Sequence, residues 1–307
     1  MHPLTKALLA STTVGVGAIA YGSGYELRAF TLRRVDVPTL PPGSAPLKVL
    51  HISDAHMRPL QARKQRWLRD LIELDPDLVV NTGDNLAHPD AAPAVLRAYG
   101  DLLDLPGVFV LGSNDYFSPV LKNPLRYLVG DRREVPYRDV DMPWRDLSAS
   151  LAGRGWVDLT NRTSRLEVGG LRIAFAGVDD PHLGYDDLDA VRGPADPAAD
   201  LTIGVAHAPY LRVLDSFNAD GYDLLFAGHT HGGQLCVPGY GALVTNCDLE
   251  PGRVKGLHQH SAPGREPSWV HVSAGLGTSP FAPVRFACRP EATLLTLLPL
   301  DSPGPAQ

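Results

Sequence analysis

The sequence predicts an α/β fold, because short apolar runs alternate with segments of helical periodicity and each run ends in a polar tip. Residues 47–53 and 78–80 are the first two such runs, and the apolar spacing of residues 67–74 predicts a helix between them. A second helix over residues 91–105 leads to a third run over residues 107–111. Alternation of this kind is typical of βαβ units, whose functional groups collect at the carboxyl ends of the strands.

Composition indicates a globular protein rather than a disordered one. The 307 residues are 44% hydrophobic and 20% charged, enough for one large α/β domain or two small ones. A formal net charge of −6 argues against non-specific nucleic-acid binding, and we expect none. The three cysteines, Cys236, Cys247 and Cys288, are odd in number and lack Cys-x-x-Cys spacing, so they indicate neither a disulfide framework nor a zinc ribbon.

The N-terminus differs in composition from the rest of the chain. Residues 7–25 carry no charge and approach the ~20 residues that cross a bilayer. Serine, threonine and glycine dilute the segment, so a membrane anchor, a signal peptide and a helix lying on the membrane or on the domain all stay open. More positive residues follow the segment than precede it, which favours membrane association with the domain on the cytoplasmic side. We therefore divide the chain into a hydrophobic segment with the start of a linker over residues 1–34 and a domain over residues 35–307, whose first residues, 35–46, continue the extended linker.

The second half of the chain predicts further strands, which imply a second sheet. A hairpin turns at two glycines between residues 165–168 and 171–178, and strands follow over residues 201–206, 222–227 and 269–273. A last hairpin is predicted over residues 285–298, with its turn at Pro290-Glu291.

The stretch between residues 116 and 156 has no clear strand and is long for a loop. Its arginines include Arg126, Arg132, Arg133, Arg138 and Arg145. Such a stretch is either a lid or binding loop that contacts an anion, or a solvated charged excursion, since acidic residues are interleaved with the arginines.

Polar side chains stand at the ends of the predicted strands and together resemble a metal-ligand set. The seven candidates are Asp54, His56, Asp84, Asn114, His207, His229 and His231. His229 and His231 are two residues apart, so in an extended segment both rings face one way. Oxygen and nitrogen ligands without thiolates suit borderline divalent ions such as Mn²⁺, Fe or Zn²⁺. Seven ligands are more than one tetrahedral ion needs. The simplest arrangement is a pair of ions, about 3.5–4 Å apart, that share one carboxylate.

These residues resemble the calcineurin-like metallophosphoesterases, whose signature runs Asp-x-His, Gly-Asp, Gly-Asn-His-Asp/Glu, His and Gly-His-x-His. The matching segments are Asp54-Ala55-His56, Gly83-Asp84, the altered Gly112-Ser113-Asn114-Asp115, His207, and Gly228-His229-Thr230-His231. The resemblance covers roughly residues 47–298, and Gly232-Gly233-Gln234 together with the hydrophobic N-terminus resembles the bacterial membrane-associated branch. It implies two facing mixed β-sheets flanked by helices, and makes residues 35–307 a catalytic domain.

The resemblance also implies roles for the ligands. Asp54, His56 and His231 would hold one ion, His207 and His229 the other, and Asp84 would bridge them. In the altered motif a strict match puts Ser113 in the ligand position, whereas a one-residue slip puts Asn114 there. We favour Asn114, because an amide carbonyl is a better ligand than a neutral hydroxyl. The predicted catalytic residues are therefore Asp84 and Asn114.

The histidine that assists the leaving group in the family is missing from the altered motif. Assistance would come from Asp115, His88, His182 or metal-bound water, or the substrate would need little of it. Asp115 and Asn85 each follow a ligand and are candidates for orienting it. His51 is expected to pack or hydrogen-bond inside the domain, and His271 to be a surface or strand residue.

The expected function is hydrolysis of a phosphodiester or diphosphate by a hydroxide that bridges two divalent ions. A hydrophobic N-terminus next to the domain favours a substrate linked to a membrane lipid, with nucleotide-like diesters as the soluble alternative. The alternative from another class is a non-catalytic metallophosphoesterase-like scaffold or binding protein, which only the altered Gly112-Ser113-Asn114-Asp115 motif favours.

Overall fold

Two six-stranded sheets face each other across an apolar core in the computed structural model, which describes residues 15–121 and 139–302. The strands are β1 (Thr31–Leu40), β2 (Leu47–Ile52), β3 (Leu78–Asn81), β4 (Gly107–Phe109), β5 (Val157–Asp158), β6 (Arg162–Val168), β7 (Leu171–Gly177), β8 (Leu201–Val205), β9 (Leu224–Ala227), β10 (Cys236–Val237), β11 (Gly241–Ala242), β12 (Gly256–His260), β13 (Ser268–Val272) and β14 (Glu291–Pro299). The helices are α1 (residues 15–24), α2 (Ala62–Arg69), α3 (Ala92–Tyr99), α4 (Ser113–Tyr116), α5 (Trp144–Gly153), α6 (Leu188–Val191) and α7 (Leu211–Asp220). Short 3₁₀ turns lie at Glu26–Arg28, Asp70–Leu74, Pro89–Ala91, Gly100–Asp104, His231–Gly233 and Pro251–Arg253.

Both sheets are mixed, and each contains a run of four parallel strands. The first has the strand order β1-β14-β2-β3-β4-β5, and the second has the order β12-β13-β9-β8-β7-β6. β2, β3, β4 and β5 are parallel, as are β13, β9, β8 and β7. The antiparallel pairs are β14 with β2 in the first sheet, and β12 with β13 and β6 with β7 in the second.

Alternation along the strands builds the core and attaches the helices. In β2, Val49 packs between the sheets, while Leu50 faces the opposite way, toward α2, α3 and α5. In β9, Phe226 lies in the same inter-sheet core, while Leu225 packs on α7. The predicted fold class, an α/β sandwich of two mixed sheets flanked by helices, is therefore confirmed.

Two segments at the ends of the chain differ from the sequence prediction. The predicted linker over residues 35–46 lies largely in β1, which pairs in parallel with β14 and begins at Thr31, before the proposed boundary at residue 35. The predicted hairpin over residues 285–298 is wrong, because only Glu291–Pro299 forms a strand. The residues before that strand are irregular and are held by contacts with other loops.

The N-terminal segment and the arginine-bearing stretch are described only in part. Within the described residues, no helix is long and apolar enough to cross a membrane. The arginines Arg126, Arg132, Arg133 and Arg138 lie outside the described residues. Arg145 is in α5, with its guanidinium 4.5 Å from the centre of the Trp144 ring.

Candidate metal centre

The structure brings all seven candidate ligands into one cluster. They follow the carboxyl ends of β2, β3 and β4 in the first sheet and of β8 and β9 in the second. These strands are parallel within each sheet, so their carboxyl ends lie at one end of the sandwich. The fold thereby assembles side chains that are up to 177 positions apart in the sequence, from Asp54 to His231.

Four of the seven residues form a first group of potential ligands. Asp54, His56, Asp84 and His231 each offer one ligand atom, and these atoms all lie within 4.8 Å of one another. Nε2 of His56 is 3.3 Å from Oδ2 of Asp84, and Nε2 of His231 is 3.7 Å from Oδ1 of Asp54. Two carboxylates and two imidazoles are a donor set that suits a borderline divalent ion.

Asp84 faces a second group as well. Its Oδ1 is 3.5 Å from Nε2 of His207, and that nitrogen is 3.3 Å from Nδ1 of His229. One oxygen of Asp84 therefore points to each group. A carboxylate in this position can be shared by two ions.

Hydrogen bonds to the far side of each ring set which ring nitrogens face the second group. Nδ1 of His207 donates a hydrogen bond to the carbonyl oxygen of Thr82 at 2.7 Å, so Nε2 is the nitrogen that faces Asp84. Nε2 of His229 lies 3.2 Å from the carbonyl oxygen and 3.0 Å from the side-chain amide nitrogen of Asn246, so Nδ1 is the nitrogen that faces His207. In histidines that bind a metal, the nitrogen away from the ion is held by a neighbouring group in the same way. The sequence motifs did not reveal Asn246, because it lies outside them.

Polar atoms of the first group are buried without hydrogen-bond partners among the described residues. They are Oδ1 of Asp54 and both ring nitrogens of His56. Asp54 is 0% exposed and His56 is 2% exposed, so water cannot solvate them freely. A buried polar atom left unpaired costs about 1–3 kcal/mol, and more when it is charged. A cation next to Oδ1 of Asp54 and one ring nitrogen of His56 would remove that cost for those two atoms, so the residues present fit a divalent ion.

Five of the candidate ligands have a left-handed backbone, which residues other than glycine rarely adopt. The φ angle is 49° at Asp54, 39° at His56, 54° at Asp84, 67° at His229 and 51° at His231. They make up half of the ten non-glycine residues with positive φ in the described ranges. Each such conformation costs on the order of 1–3 kcal/mol and persists only where surrounding contacts impose it. The backbone strain of this protein is therefore concentrated at the cluster.

Two glycines are required because other groups approach their backbone closely. A Cβ atom at Gly112 would lie 2.5 Å from Oδ1 of Asp84 and 2.6 Å from Cε1 of His207. A Cβ atom at Gly228 would lie 1.9 Å from Oγ of Ser53. Any side chain at either position would displace groups of the cluster.

The altered motif puts Asn114, not Ser113, next to the cluster. The backbone N–H of Asn114 donates to Oδ1 of Asp84, and its side-chain amide donates to Oδ2, both at 2.7 Å. The hydroxyl of Ser113 donates instead to Asp180. This arrangement supports the preference for Asn114 over Ser113.

Asp115 links two ligand-bearing loops and is not free to act elsewhere. Its Oδ1 accepts from the backbone N–H groups of Asn85 and Leu86 at 2.8 and 3.1 Å, and its Oδ2 accepts from Gly112 at 3.1 Å. Burial raises the pKa of Asp115 to about 7, and nearby Asp84 adds to the shift. The residue therefore orients the loops after β3 and β4.

The other two candidates for leaving-group assistance differ in position. His88 is on an exposed turn, where its Nδ1 accepts from the backbone N–H of Asp90. His182 follows β7, and its ring centre is 4.4 Å from that of His229. Nδ1 of His182 is 3.0 Å from the hydroxyl of Tyr210. Of these two histidines, only His182 contacts a candidate ligand within the described part of the chain.

Electrostatics separates the charged ligands from the neutral ones. Burial raises the pKa of Asp84, but His207 and His56 outweigh it and hold that pKa well below its usual range. Burial lowers the pKa of His229 and of His231 well below the usual value, and neighbouring histidines add to the effect. The two rings therefore stay neutral, which is the form that binds a metal.

A buried guanidinium holds the loops beneath the first group. Arg285 is 0% exposed, and its Nη2 donates to the carbonyl oxygens of Ala274, Gly275 and Gly277 at 2.8, 3.1 and 2.7 Å. Its Nη1 lies 3.5 Å from the carbonyl oxygen of His231. Burial lowers the pKa of Arg285. Sequence analysis missed this residue, because nothing in its local sequence distinguishes it from a surface arginine.

All the candidate ligands lie within a region that matches a known protein family. The calcineurin-like phosphoesterase family matches residues 47–233, which include every candidate ligand. The chain belongs to this family. Membership confirms the resemblance seen in the sequence, and it supports metal binding and phosphoester hydrolysis at the level of the family.

Relatives of the chain include proteins named for the same domain. The uncharacterized metallophosphoesterase YkuE of Bacillus subtilis (strain 168) is 25% identical over 303 residues, which cover 92% of this chain and 93% of that protein. A transmembrane protein with metallophosphoesterase domain from Bos taurus is 27% identical over 317 residues, which cover 96% of this chain and 62% of that protein. Among solved structures, the calcineurin-like phosphoesterase YfkN from Bacillus subtilis has a TM-score of 0.41 and 13% identity, covering 78% of this chain and 83% of that one.

Proposed function

We propose that this protein hydrolyses a phosphoester with the help of two divalent metal ions, of Mn, Fe or Zn. The observation that carries the proposal is the position of Asp84, whose two oxygens lie 3.5 Å from Nε2 of His207 and 3.3 Å from Nε2 of His56. Asp54, His56 and His231 would hold one ion, His207 and His229 the other, and Asp84 would be shared. Two such ions, when bound, supply the positive charge that polarises a phosphoryl group and activates water.

The chain's own residues position this chemistry. Asn114 holds Asp84 through its backbone and side-chain amides, and its side chain is also the proposed seventh ligand. The hydrogen bond from the His207 ring to the carbonyl oxygen of Thr82 and the contacts of the His229 ring with Asn246 keep the proposed ligating nitrogens directed inward. Preorganised ligands of this kind reduce the reorganisation needed when charge develops on the phosphoryl oxygens.

His182 is the residue that we assign to the leaving-group side. Asp115 is committed to three backbone N–H groups, and His88 is on an exposed turn. His182 packs beside His229 and is hydrogen-bonded to Tyr210, so its ring is held at the edge of the second group. It would contact the phosphoester without replacing a ligand.

Metal counting and an activity assay test the proposal together. Protein stripped with a chelator and reloaded with Mn²⁺ should contain two ions per chain and hydrolyse an aryl phosphodiester or an aryl phosphomonoester. A protein that holds no ion would be the non-catalytic scaffold. A protein that holds two ions but is inactive toward both esters and toward lipid phosphates would contradict the catalytic proposal.

A lipid-linked substrate is the second part of the proposal, and the position of α1 supports it. β1 starts at Thr31 opposite Glu291, and β14 brings Thr293 opposite His51, so the N-terminal helix enters the sandwich at the end where the ligands lie. Val16 and Ile19 on α1 are 62% and 64% exposed. An exposed apolar helix face beside the site would hold it near a bilayer and raise the local concentration of lipid-linked esters.

Point substitutions test the membrane proposal better than truncation, because a chain starting at Val35 would lose part of β1. Full-length Val16→Ser/Ile19→Ser protein should sediment less with anionic liposomes than wild type and should lose its preference for lipid-linked over soluble phosphodiesters. Leu300→Ser is the matched control, since Leu300 is 63% exposed and follows β14 at the opposite end of the sandwich. Equal sedimentation and unchanged preference in both variants would contradict a membrane-linked substrate.

A further inference from the structure

Two buried histidines between the sheets connect to the candidate metal centre through hydrogen bonds. His51 in β2 and His271 in β13 are 0% and 1% exposed, and their Nδ1 atoms lie 2.7 Å apart. Nε2 of His51 is 3.0 Å from Oγ1 of Thr82. Thr82 contacts Oγ of Ser53 at 2.6 Å, and Ser53 contacts Oδ2 of Asp54 at 2.5 Å. The five side chains form an unbroken chain that ends on a candidate ligand.

The direction of every hydrogen bond in this chain follows from its carboxylate end. A carboxylate only accepts, so the single hydroxyl proton of Ser53 is donated to Asp54. Thr82 must then donate to Ser53, and its own oxygen can only accept from His51. A neutral His51 with its proton on Nε2 has a lone pair on Nδ1.

His271 completes the series at the other end. Because Nδ1 of His51 carries the lone pair, the bond between the two rings requires the proton on Nδ1 of His271. Burial, with a smaller contribution from His258, lowers the pKa of His271 to about 3, and burial lowers the pKa of His51 well below its usual value. Both rings are therefore neutral near pH 7, as the series requires.

We propose that His51 and His271 are positioning residues for Asp54, acting through Thr82 and Ser53 in a series of hydrogen bonds that are all donated toward the carboxylate. Donors that point one way polarise one another, so the last bond is stronger than an isolated one. The purpose of the series, which is to position a metal ligand, rests on the proposed metal centre. The hydrogen-bond directions do not, because they are set by the protein alone.

The series gives the two oxygens of Asp54 different roles. Oδ2 accepts from Ser53 and also from the backbone N–H of His229 at 3.0 Å. Oδ1 has no hydrogen-bond partner among the described residues and lies 3.7 Å from Nε2 of His231. The carboxylate is thus held by one oxygen and presents the other to an ion.

The apolar surroundings of His51 and His271 indicate that the two rings do more than fill space. His51 and His271 lie next to the inter-sheet core, where the neighbouring side chains of β2 and β3 are Val49 and Val80. Polar rings in such a place are costly unless their nitrogens are paired. Apolar side chains would fill the space without that cost.

Long-range ¹H–¹⁵N NMR of the histidine rings in the Zn²⁺-loaded full chain tests the directions. The proposal requires the Nε2–H form of His51 and the Nδ1–H form of His271, and both should persist after chelation. The opposite tautomer at either ring, or a charged ring near pH 7, would overturn it. Failure of this test leaves the metal-centre proposal standing, because metal content is measured separately.

Substitution of Thr82 tests the positioning role. Thr82→Val breaks the series but keeps the backbone carbonyl that accepts from His207. It should weaken the binding of one of the two Mn²⁺ ions by about tenfold and should affect the other ion less. A tenfold loss is at the lower end of the range for groups that support a metal ligand. Thr82→Ser retains the hydroxyl and should restore the affinity.

Thr293→Val is the matched control. Thr293 is paired with His51 across the sheet, is 0% exposed, and its hydroxyl has no partner among the described residues. It should bind both ions as wild type does. Wild-type binding in Thr82→Val, equal weakening of both ions, or no rescue by Thr82→Ser would overturn the positioning role.

Discussion

Asn114 donates two hydrogen bonds to Asp84, one from its backbone to Oδ1 and one from its side chain to Oδ2, each 2.7 Å long. Asn114→Ala removes the second bond and the proposed amide ligand. We therefore expect metal affinity to fall about 10–100-fold, as when a group that supports a ligand is lost. Isothermal titration with Mn²⁺ measures this change.

Ser113→Ala provides the matched control for Asn114. The hydroxyl of Ser113 donates to Asp180 and not to Asp84. Its removal should leave Mn²⁺ affinity close to that of wild type. If Ser113→Ala lost affinity as strongly as Asn114→Ala, the assignment of Asn114 as the ligand would be wrong.

Asp84 should be the least replaceable residue of the site. Asp84→Asn removes one negative charge from both ligand groups, so it should abolish activity and reduce the metal content at both positions. His231→Ala should deplete one ion more than the other, because His231 belongs to the first group. Elemental analysis of the purified variants decides the point, and equal mild losses would argue against a shared carboxylate.

Gly112→Ala tests the close approach of the backbone to the cluster. The new Cβ atom would lie 2.5 Å from Oδ1 of Asp84, so either the loop or the carboxylate must move. We expect a loss of unfolding free energy of about 1–3 kcal/mol, typical of overpacking, together with loss of activity.

Gly153→Ala is its control. Gly153 is the last residue of α5, and a Cβ atom there meets nothing within 4 Å. It should be neutral or stabilise the protein by about 0.4–1 kcal/mol. Chemical denaturation compares the two, and an innocuous Gly112→Ala would contradict the described packing.

The buried histidine His271 predicts how stability changes in acid. Its pKa is lowered to about 3 by burial, whereas the unfolded residue titrates near 6.5, so between these values the unfolded state binds one more proton. The free energy of unfolding should therefore fall as pH drops below about 6.5, with a contribution from this residue approaching 1.4 kcal/mol per pH unit.

Comparison with His271→Gln isolates that contribution. Denaturation in the presence of a chelator between pH 7 and pH 4 should show a shallower loss of stability for the variant. The difference in slope corresponds to about one proton. Parallel curves for the two proteins would show that His271 titrates equally in both states.

The strands that carry ligands were the predictable part of the fold. β2, β3, β8 and β9 are short, buried on both faces and almost wholly apolar, so each stands out from the polar tip that follows it. The family resemblance then supplied the two facing sheets, which periodicity does not encode. Six of the seven ligand candidates came from the same tips, and Asn114 follows β4.

β1 and the residues before β14 were not predictable for opposite reasons. β1 contains Pro38, which argues against a central strand but is tolerated here because β1 is at the edge of its sheet. Residues 285–290 include the apolar side chains of Phe286, Ala287 and Cys288, yet their backbone pairs with other segments instead of forming a hairpin. Glu26, for example, binds the backbone N–H groups of Ala287 and Cys288 at 3.1 and 2.6 Å.

Supporting contacts across long sequence separations were also invisible to local patterns. His51 and His271 are 220 positions apart, and Asn246 meets His229 from a loop with no motif of its own. His271 was expected as a surface or strand residue. It is a strand residue, but it is buried, because the second sheet turns that face of β13 toward the first.

Because the buried guanidinium of Arg285 supports the site, the segment that carries the ligands would not form the site by itself. The family matches residues 47–233, but Arg285 reaches back from outside that range to the carbonyl groups of Ala274, Gly275, Gly277 and His231. A transplanted piece with those limits would carry every candidate ligand and none of this anchorage. It would also leave β2 and β9 without their neighbours β14 and β13, exposing unpaired edges in both sheets. The candidate site therefore needs nearly the whole sandwich in order to form.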